Sequence, residues 1–194
     1  MAIAVLPLRQ RLWTFGALAL LSALVHDINH VRRGEAHDLL WVCNVAPLLL
    51  GVGCFFRVRV LVSIAALWLS VGTPLWLLDV AGGGGWMVTT LFPHVLCPVL
   101  AFLAVRELGL PKFGWLFATG LLVVLYGVTR LATPPSANVN IAFAVWKGWE
   151  KYFPRYDVYL GLTLAAETLT FFLMHKILER WVAKRTPILK EVRA

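Results

Sequence analysis

The feature that most constrains this chain is a series of apolar stretches, each close to the length needed to cross a bilayer. A membrane-spanning helix needs about 20 consecutive apolar residues, and six such stretches can be read along the 194 residues. They cover approximately residues 11–29, 38–56, 58–79, 86–105, 113–132 and 156–175. Because six spans use most of the chain, no separate soluble domain is expected. The sequence therefore predicts one all-α transmembrane domain over residues 1–194, a polytopic bundle of six helices.

Composition and charge also favour a membrane location. Hydrophobic residues make up 60% of the chain and charged residues 14%, whereas a soluble domain carries about 25% charged residues. With six spans, twelve of the eighteen Lys and Arg residues fall on the side of the two termini. By the positive-inside rule, we expect both termini in the cytoplasm of a bacterial-type inner (plasma) membrane. The basic C-terminal tail, 179–193, is expected to meet anionic lipid headgroups, so no nucleic-acid partner is expected.

Polar residues gather near one end of the predicted bundle. The stretch HDINHVRRGEAHDLLWVCN, residues 26–44, carries three histidines, three acids and a cysteine, and it follows the first span without a cleavage site for a signal peptide. With both termini inside, this stretch lies on the outer side, where Asp79, Asn138 and Asn140 also lie. We therefore expect one outward-facing polar pocket. The residues expected to line or gate it are His26, His30, His37 and Asp79.

Two side chains at this end are predicted to reach a similar depth. Cys43 is about five residues into the second span and His94 about eight into the fourth, so at 1.5 Å per residue they lie roughly 8 and 12 Å deep. A cysteine and a histidine form the minimal set for acyl transfer, because the imidazole takes the thiol proton and the thiolate attacks an ester carbonyl. The amides expected to bind substrate or the developing oxyanion are Asn44, Asn138 and Asn140.

Two further segments are assigned to the pocket. Residues 137–155 are too polar to span, and their aromatic residues recur at helical spacing, which predicts an interfacial helix before the last span. This segment, with Trp146, is interpreted either as an aromatic belt or as a lid over the pocket. Glu167 lies near the middle of the last span and needs a partner. With Thr163 and Thr170 it forms a polar stripe facing the bundle, either as a helix contact or as a pocket wall.

Three short motifs resemble the YwaF family of integral membrane proteins. They are LLWVCNVAPLLL around Cys43, FPHVLCP around His94, and NVNIAFAVW followed by YFPRYDVYLGL, and the resemblance covers about residues 38–175. That family includes a eukaryotic transmembrane acyltransferase acting on ether phospholipids, and it is distantly similar to the androgen-induced lipid hydrolases, which use threonine and histidine. The resemblance implies that Cys43 is the nucleophile and His94 the base, and that Asn140 matches an asparagine before the family's last span. Ile141 stands where the family has an aromatic residue.

Together these observations predict a lipid acyltransferase or lipid-ester hydrolase that acts on a membrane phospholipid or other lipid ester and uses no cofactor. One alternative is a metal-dependent membrane enzyme, with zinc or iron held by the histidines at 26, 30 and 37. Another is a non-enzymatic, small-molecule-binding subunit of a transporter, for which the small residues of ALLSA, 19–23, offer a helix contact. The sequence leaves a homo-oligomer open.

Overall fold

Six α-helices follow one another in the computed structural model, which describes residues 6–183. They are α1 (Leu8–Arg32), α2 (Val42–Phe56), α3 (Arg59–Ala81), α4 (Cys97–Leu108), α5 (Gly114–Ala132) and α6 (Tyr156–Ala183). Five segments are long and apolar enough to cross a membrane, the third of them being Val88–Leu108, and α2 is a shorter apolar helix. No strand occurs within residues 6–183. The prediction of an all-α membrane bundle is confirmed.

The structure corrects two boundaries that bear on the polar end. The second span does not begin at residue 38, because Ala36–Leu40 forms a 3-10 helix and α2 begins at Val42. Cys43 is therefore the second residue of its helix and lies closer to the helix end than predicted. The last helix runs on to Ala183, eight residues beyond its predicted end at 175.

The segment 137–155, predicted as an interfacial helix, contains no regular α-helix. It consists of the end of a 3-10 turn, the 3-10 helix Val139–Ile141 and a series of turns. Asn138 and Asn140 have φ values of 44° and 54°, and Gly148 has φ 91°. These left-handed residues interrupt the helical repeat that the aromatic spacing indicated.

Helix α3 is the central element of the bundle. It contacts α2, α4, α5 and α6, and eight consecutive residues, from Val62 to Leu69, are buried. A helix that is buried on every side has to be apolar on every side, which matches this stretch. The indole Nε1 of Trp68 donates a hydrogen bond of 3.0 Å to the carbonyl of Ala118 in α5, so its one polar atom is satisfied.

Helices α1 and α2 approach each other closely through glycine. A Cβ at Gly16 would lie 3.0 Å from the carbonyl oxygen of Gly51 and 3.2 Å from the Cβ of Cys54. Ala19 and Ala23, from the small-residue pattern predicted to form a helix contact, are 0% and 2% exposed. Small side chains therefore let α1 and α2 pack backbone to backbone.

Apart from Glu167, the candidate residues lie at one end of the bundle, which we call the polar end. It is the end at which α1, α3 and α5 finish and at which α2 and α6 begin. The basic residues after Ala183, which are part of the predicted headgroup-binding tail, lie outside the described residues.

Candidate functional site

Helix α1 places two histidines on its buried face. Its buried residues recur at intervals of three and four, as expected for one helical face. They are Leu12, Phe15, Gly16, Ala19, Ser22, Ala23, His26 and His30. The two histidines end this stripe, and their Nε2 atoms lie 3.2 Å apart in a buried hydrogen bond. The Nδ1 of His26 lies 3.1 Å from Thr89 Oγ1, which also accepts a 3.2 Å bond from Asn29 Nδ2.

The second ring nitrogen of His30 faces two carboxylates. Its Nδ1 lies 3.3 Å from Glu35 Oε2 and 3.5 Å from Asp38 Oδ2, but it meets neither in hydrogen-bonding geometry. The other oxygen of Asp38 accepts a 3.1 Å bond from Trp41 Nε1 and lies 3.5 Å from His37 Nε2. One imidazole and two carboxylates thus converge where α1 gives way to the 3-10 helix.

Cys43 lies in the first turn of α2 and is half-buried. Its side chain faces the helix α3 backbone, because a Cβ on Gly72 would lie 3.7 Å from the Cβ of Cys43. The Cys43 backbone N–H donates to no backbone carbonyl among the described residues, as expected for the first turn of a helix. Pro47, four residues later, has no N–H to donate to the carbonyl of Cys43.

His94 lies in a single turn of π-helix, Phe92–Leu96, and is buried. Its ring stacks on Trp76 with centroids 4.7 Å apart and planes inclined by 8°. Pro98 lacks the N–H that would bond the His94 carbonyl in an α-helix, and Thr73 Oγ1 donates to that carbonyl at 3.1 Å instead. The imidazole Nδ1 has no hydrogen-bond partner.

Cys43 and His94 are packed against the same stretch of α3. Cys43 faces Gly72, and His94 contacts Thr73 and Trp76. No hydrogen bond joins the thiol to the imidazole among the described contacts. Buried polar atoms without partners surround this stretch at the polar end. They are Asp27 Oδ1, Asn44 Oδ1, Trp76 Nε1 and His94 Nδ1. Such atoms mark a place that water or a polar ligand would occupy.

Ionisable groups of the polar end lie near both residues. Asp27 and Asp38 lie within electrostatic range of Cys43, and His26 lies within electrostatic range of His94. The structure therefore brings the predicted catalytic residues and the predicted histidine rim into one polar region.

Asn140 is placed differently from its predicted use as a substrate donor. Its Oδ1 accepts a 2.9 Å bond from the backbone N–H of Val42, while its Nδ2 donates to the carbonyl of Leu40 at 2.7 Å and to Thr129 Oγ1 at 3.2 Å. Both amide hydrogens are thus used in holding the start of α2 against α5. Asn44 donates to the carbonyl of Asp38 at 2.9 Å and keeps its Oδ1 free.

The other predicted substrate-binding residues lie at the margin of the polar end. Asn138 closes its own loop, accepting from the backbone N–H groups of Phe143 and Ala144. Trp146 packs edge to face against Trp41, with centroids 6.5 Å apart. Asp79 is half-buried, and its carboxylate lies against Gly84 in the loop after α3.

Glu167 lies apart from this region, between α5 and α6. Its Oε2 accepts a 3.1 Å bond from the Tyr126 hydroxyl, so it has the partner that the sequence required. Nearby, Thr119 donates to Thr168 at 3.4 Å. An apolar groove of about 570 Å3 follows the same pair of helices and is lined by Trp115 and Phe172 among others. Glu167 therefore stabilises the packing of α5 against α6 and is not part of the polar end.

Sequence reasoning missed several residues of the polar end. Glu35 is one of the two acids beside His30, and Thr89 orients His26. Thr73 and Trp76 hold His94. The position of Pro98, four residues after His94, is the signal that could have indicated a carbonyl in need of a donor such as Thr73.

Comparison of this chain with protein-family models, with curated proteins and with solved structures gave no match. The similarity to the YwaF family stays a prediction from the three motifs that carry it.

Proposed function

We propose that this protein transfers or hydrolyses the acyl group of a membrane phospholipid or other lipid ester, with Cys43 as nucleophile and His94 as base. The observation that carries the proposal is the packing of both residues against the Gly72–Trp76 stretch of α3. The free Nδ1 of His94, in a buried setting, provides the base. The YwaF resemblance supplies the substrate class.

The reaction proceeds in two balanced halves. In the first, the Cys43 thiol gives its proton to His94 Nδ1 and the thiolate attacks the ester carbonyl, forming a C–S bond. Collapse of the tetrahedral intermediate breaks the C–O bond, and His94 returns the proton to the leaving alkoxide. In the second half, an acceptor hydroxyl or water gives its proton to His94 and attacks the thioester. The C–S bond then breaks and Cys43 regains its proton.

This mechanism requires a local movement, because no hydrogen bond joins Cys43 to His94 in the described conformation. Because His94 is held by Trp76 and Thr73, we assign this movement to the Cys43 side chain in the first turn of α2. Contacts of this kind often tighten only when substrate binds.

Donors for the oxyanion are available beside the nucleophile. The backbone N–H of Cys43 bonds to no backbone carbonyl within the described part of the chain, and it lies at the positive end of the α2 dipole. A nucleophile that contributes its own backbone N–H to the oxyanion hole is a recurring solution in acyl transfer. One N–H of the Asn44 amide is also unused.

The charge distribution supports an orientation with the polar end outside. Twelve of the eighteen basic residues lie on the side of the termini. In this orientation the polar end faces the outer leaflet, both termini are cytoplasmic, and the substrate is a lipid of the bacterial-type inner membrane.

The reactivity of the Cys43 thiol tests the proposal. We expect a maleimide reagent to label Cys43 of the detergent-purified protein at least about 10-fold faster than it labels Cys43 of the H94Q variant, because the thiolate is the reactive form. Cys54 and Cys97, both buried, are internal controls, and faster labelling there would reveal opening of the bundle. Equal labelling of Cys43 with and without His94 would overturn the pairing.

A further inference from the structure

We propose that His30, Glu35 and Asp38 form a binding site for one divalent transition-metal ion, with Zn2+ as the best fit. The three side chains offer one ligand atom each, and these atoms all lie within 4.8 Å of one another. The site is separate from the Cys43–His94 pair. It also differs from the all-histidine set predicted from the sequence, because His26 and His37 contribute no atom to this group.

The spacing around His30 matches metal coordination. Ligands bound at about 2.0–2.1 Å to a tetrahedral ion lie about 3.4 Å from each other. Two edges of the site, from His30 Nδ1 to Glu35 Oε2 and to Asp38 Oδ2, measure 3.3 and 3.5 Å. The third pair of ligand atoms, on the two carboxylates, lies within 4.8 Å, and rotation of the partly exposed Glu35 side chain can adjust this distance around an ion.

The surroundings of His30 Nδ1 favour a bound cation over a hydrogen bond. The residue is 9% exposed, and its Nδ1 faces two carboxylates without hydrogen-bonding geometry to any atom. A lone pair on this nitrogen would be repelled by the carboxylate oxygens unless a cation lay between them. An imidazole nitrogen and two carboxylate oxygens are ligands that Zn2+ accepts.

A second layer of contacts orients the ligands. With Nδ1 on the metal, the Nε2–H of His30 donates to His26 Nε2 at 3.2 Å, and His26 Nδ1–H donates to Thr89 Oγ1 at 3.1 Å. Trp41 Nε1 holds one oxygen of Asp38 and leaves the other for the ion. Metal-bound histidines nearly always donate their second N–H in this way, which fixes the tautomer and the ring plane.

Arg33 is the competing cation. Its Nε lies 3.1 and 3.0 Å from the two oxygens of Glu35. The arginine side chain is 57% exposed, so an ion pair of this kind contributes little and the side chain can move into water when a metal binds. The ion then links the end of α1 to the 3-10 helix before Cys43.

Zinc binding to the purified full-length protein tests this site. After chelator treatment and removal of the chelator, we expect calorimetric titration with ZnCl2 to give one ion per chain and a melting temperature that rises with zinc concentration. D38N and E35Q, which keep side-chain size, are expected to weaken binding by at least about 10-fold, and H30A by more. D157N, an exposed acid at the same end, is the matched control and is expected to bind as the wild type does.

Several outcomes would overturn the assignment. They are the absence of stoichiometric zinc binding, equal affinity in D38N and wild type, loss of binding in H37A with retention in D38N, and equal affinity for Mg2+ and Zn2+. Melting temperatures measured without metal show whether each variant is folded. If H30A is not folded, D38N and E35Q decide the question.

Discussion

Cys43 and His94 each lie four residues before a proline, Pro47 and Pro98. In both helices this removes the N–H that would bond the carbonyl of the candidate catalytic residue. At His94 the freed carbonyl accepts from Thr73, and the chain adopts a π-helical turn, a feature frequent at functional sites. The prolines therefore give the two residues backbone settings unlike the rest of their helices.

The contribution of Thr73 can be measured by the T73V substitution, which keeps the side-chain shape and removes the donor. We expect a loss of about 1–3 kcal/mol in the free energy of unfolding, because a half-buried carbonyl loses its partner. We also expect slower alkylation of Cys43, since His94 is less firmly held. T170V is the control, because the Thr170 hydroxyl makes a solvent-exposed bond within its own helix, to the carbonyl of Ala166. Identical stability of T73V and T170V would contradict this role.

At the level of elements, the loop before α6 holds the start of α2 in place. Asn140 is buried and bonds to Val42 and Leu40 around the start of α2, and to Thr129 of α5. The backbone that carries Cys43 is therefore positioned by a residue about 100 positions away in the chain, 98 from Val42 and 100 from Leu40. Asn140 acts on the site through the position of α2.

A pair of glycine substitutions isolates this effect. Asn140 and Asn138 both have left-handed φ values, which glycine adopts without strain. We expect N140G to lower the free energy of unfolding by about 2–4 kcal/mol, because three buried or half-buried groups lose their partner, and N138G by about 1 kcal/mol, because water replaces its bonds. Chemical denaturation in detergent measures both. An N138G loss equal to or larger than that of N140G would refute the assignment.

At the level of the whole molecule, the sequence predicts some features because they depend on local pattern. The spans follow from apolar length, and the inward direction of His26 and His30 follows from their helical spacing after Leu12. Other features depend on tertiary contacts. Glu35 reaches His30 because the chain turns at Gly34, which has φ 78°. After this turn the backbone N–H of Glu35 donates to the carbonyl of His30.

The interfacial segment shows a different reason for a wrong prediction. Its aromatic residues are spaced as in a helix, but Asn138, Asn140 and Gly148 adopt left-handed conformations. Asn140 does so because its amide is bonded to two other elements at once. Hydrophobic spacing contains no information about such a bond, so the pattern alone favoured a helix.

The orientation of the whole protein is open to a direct test. In a C43S background, we expect S136C, in an exposed loop of the polar end, to react with a membrane-impermeant maleimide on intact cells. K112C, exposed at the opposite end, is expected to react only after permeabilisation, because the positive-inside rule places that end in the cytoplasm. The reverse pattern would place the polar end in the cytoplasm and exclude an outer-leaflet substrate.

The most direct test of the central claim is capture of an acyl group on Cys43. The purified protein would be incubated with vesicles of phosphatidylethanolamine and phosphatidylglycerol that carry a radiolabelled acyl chain. We expect a hydroxylamine-sensitive label, mapped to Cys43 by mass spectrometry, that is absent from C43S and H94Q and retained in C54S. Absence of label from the folded wild type, or label that persists in C43S, would contradict the account.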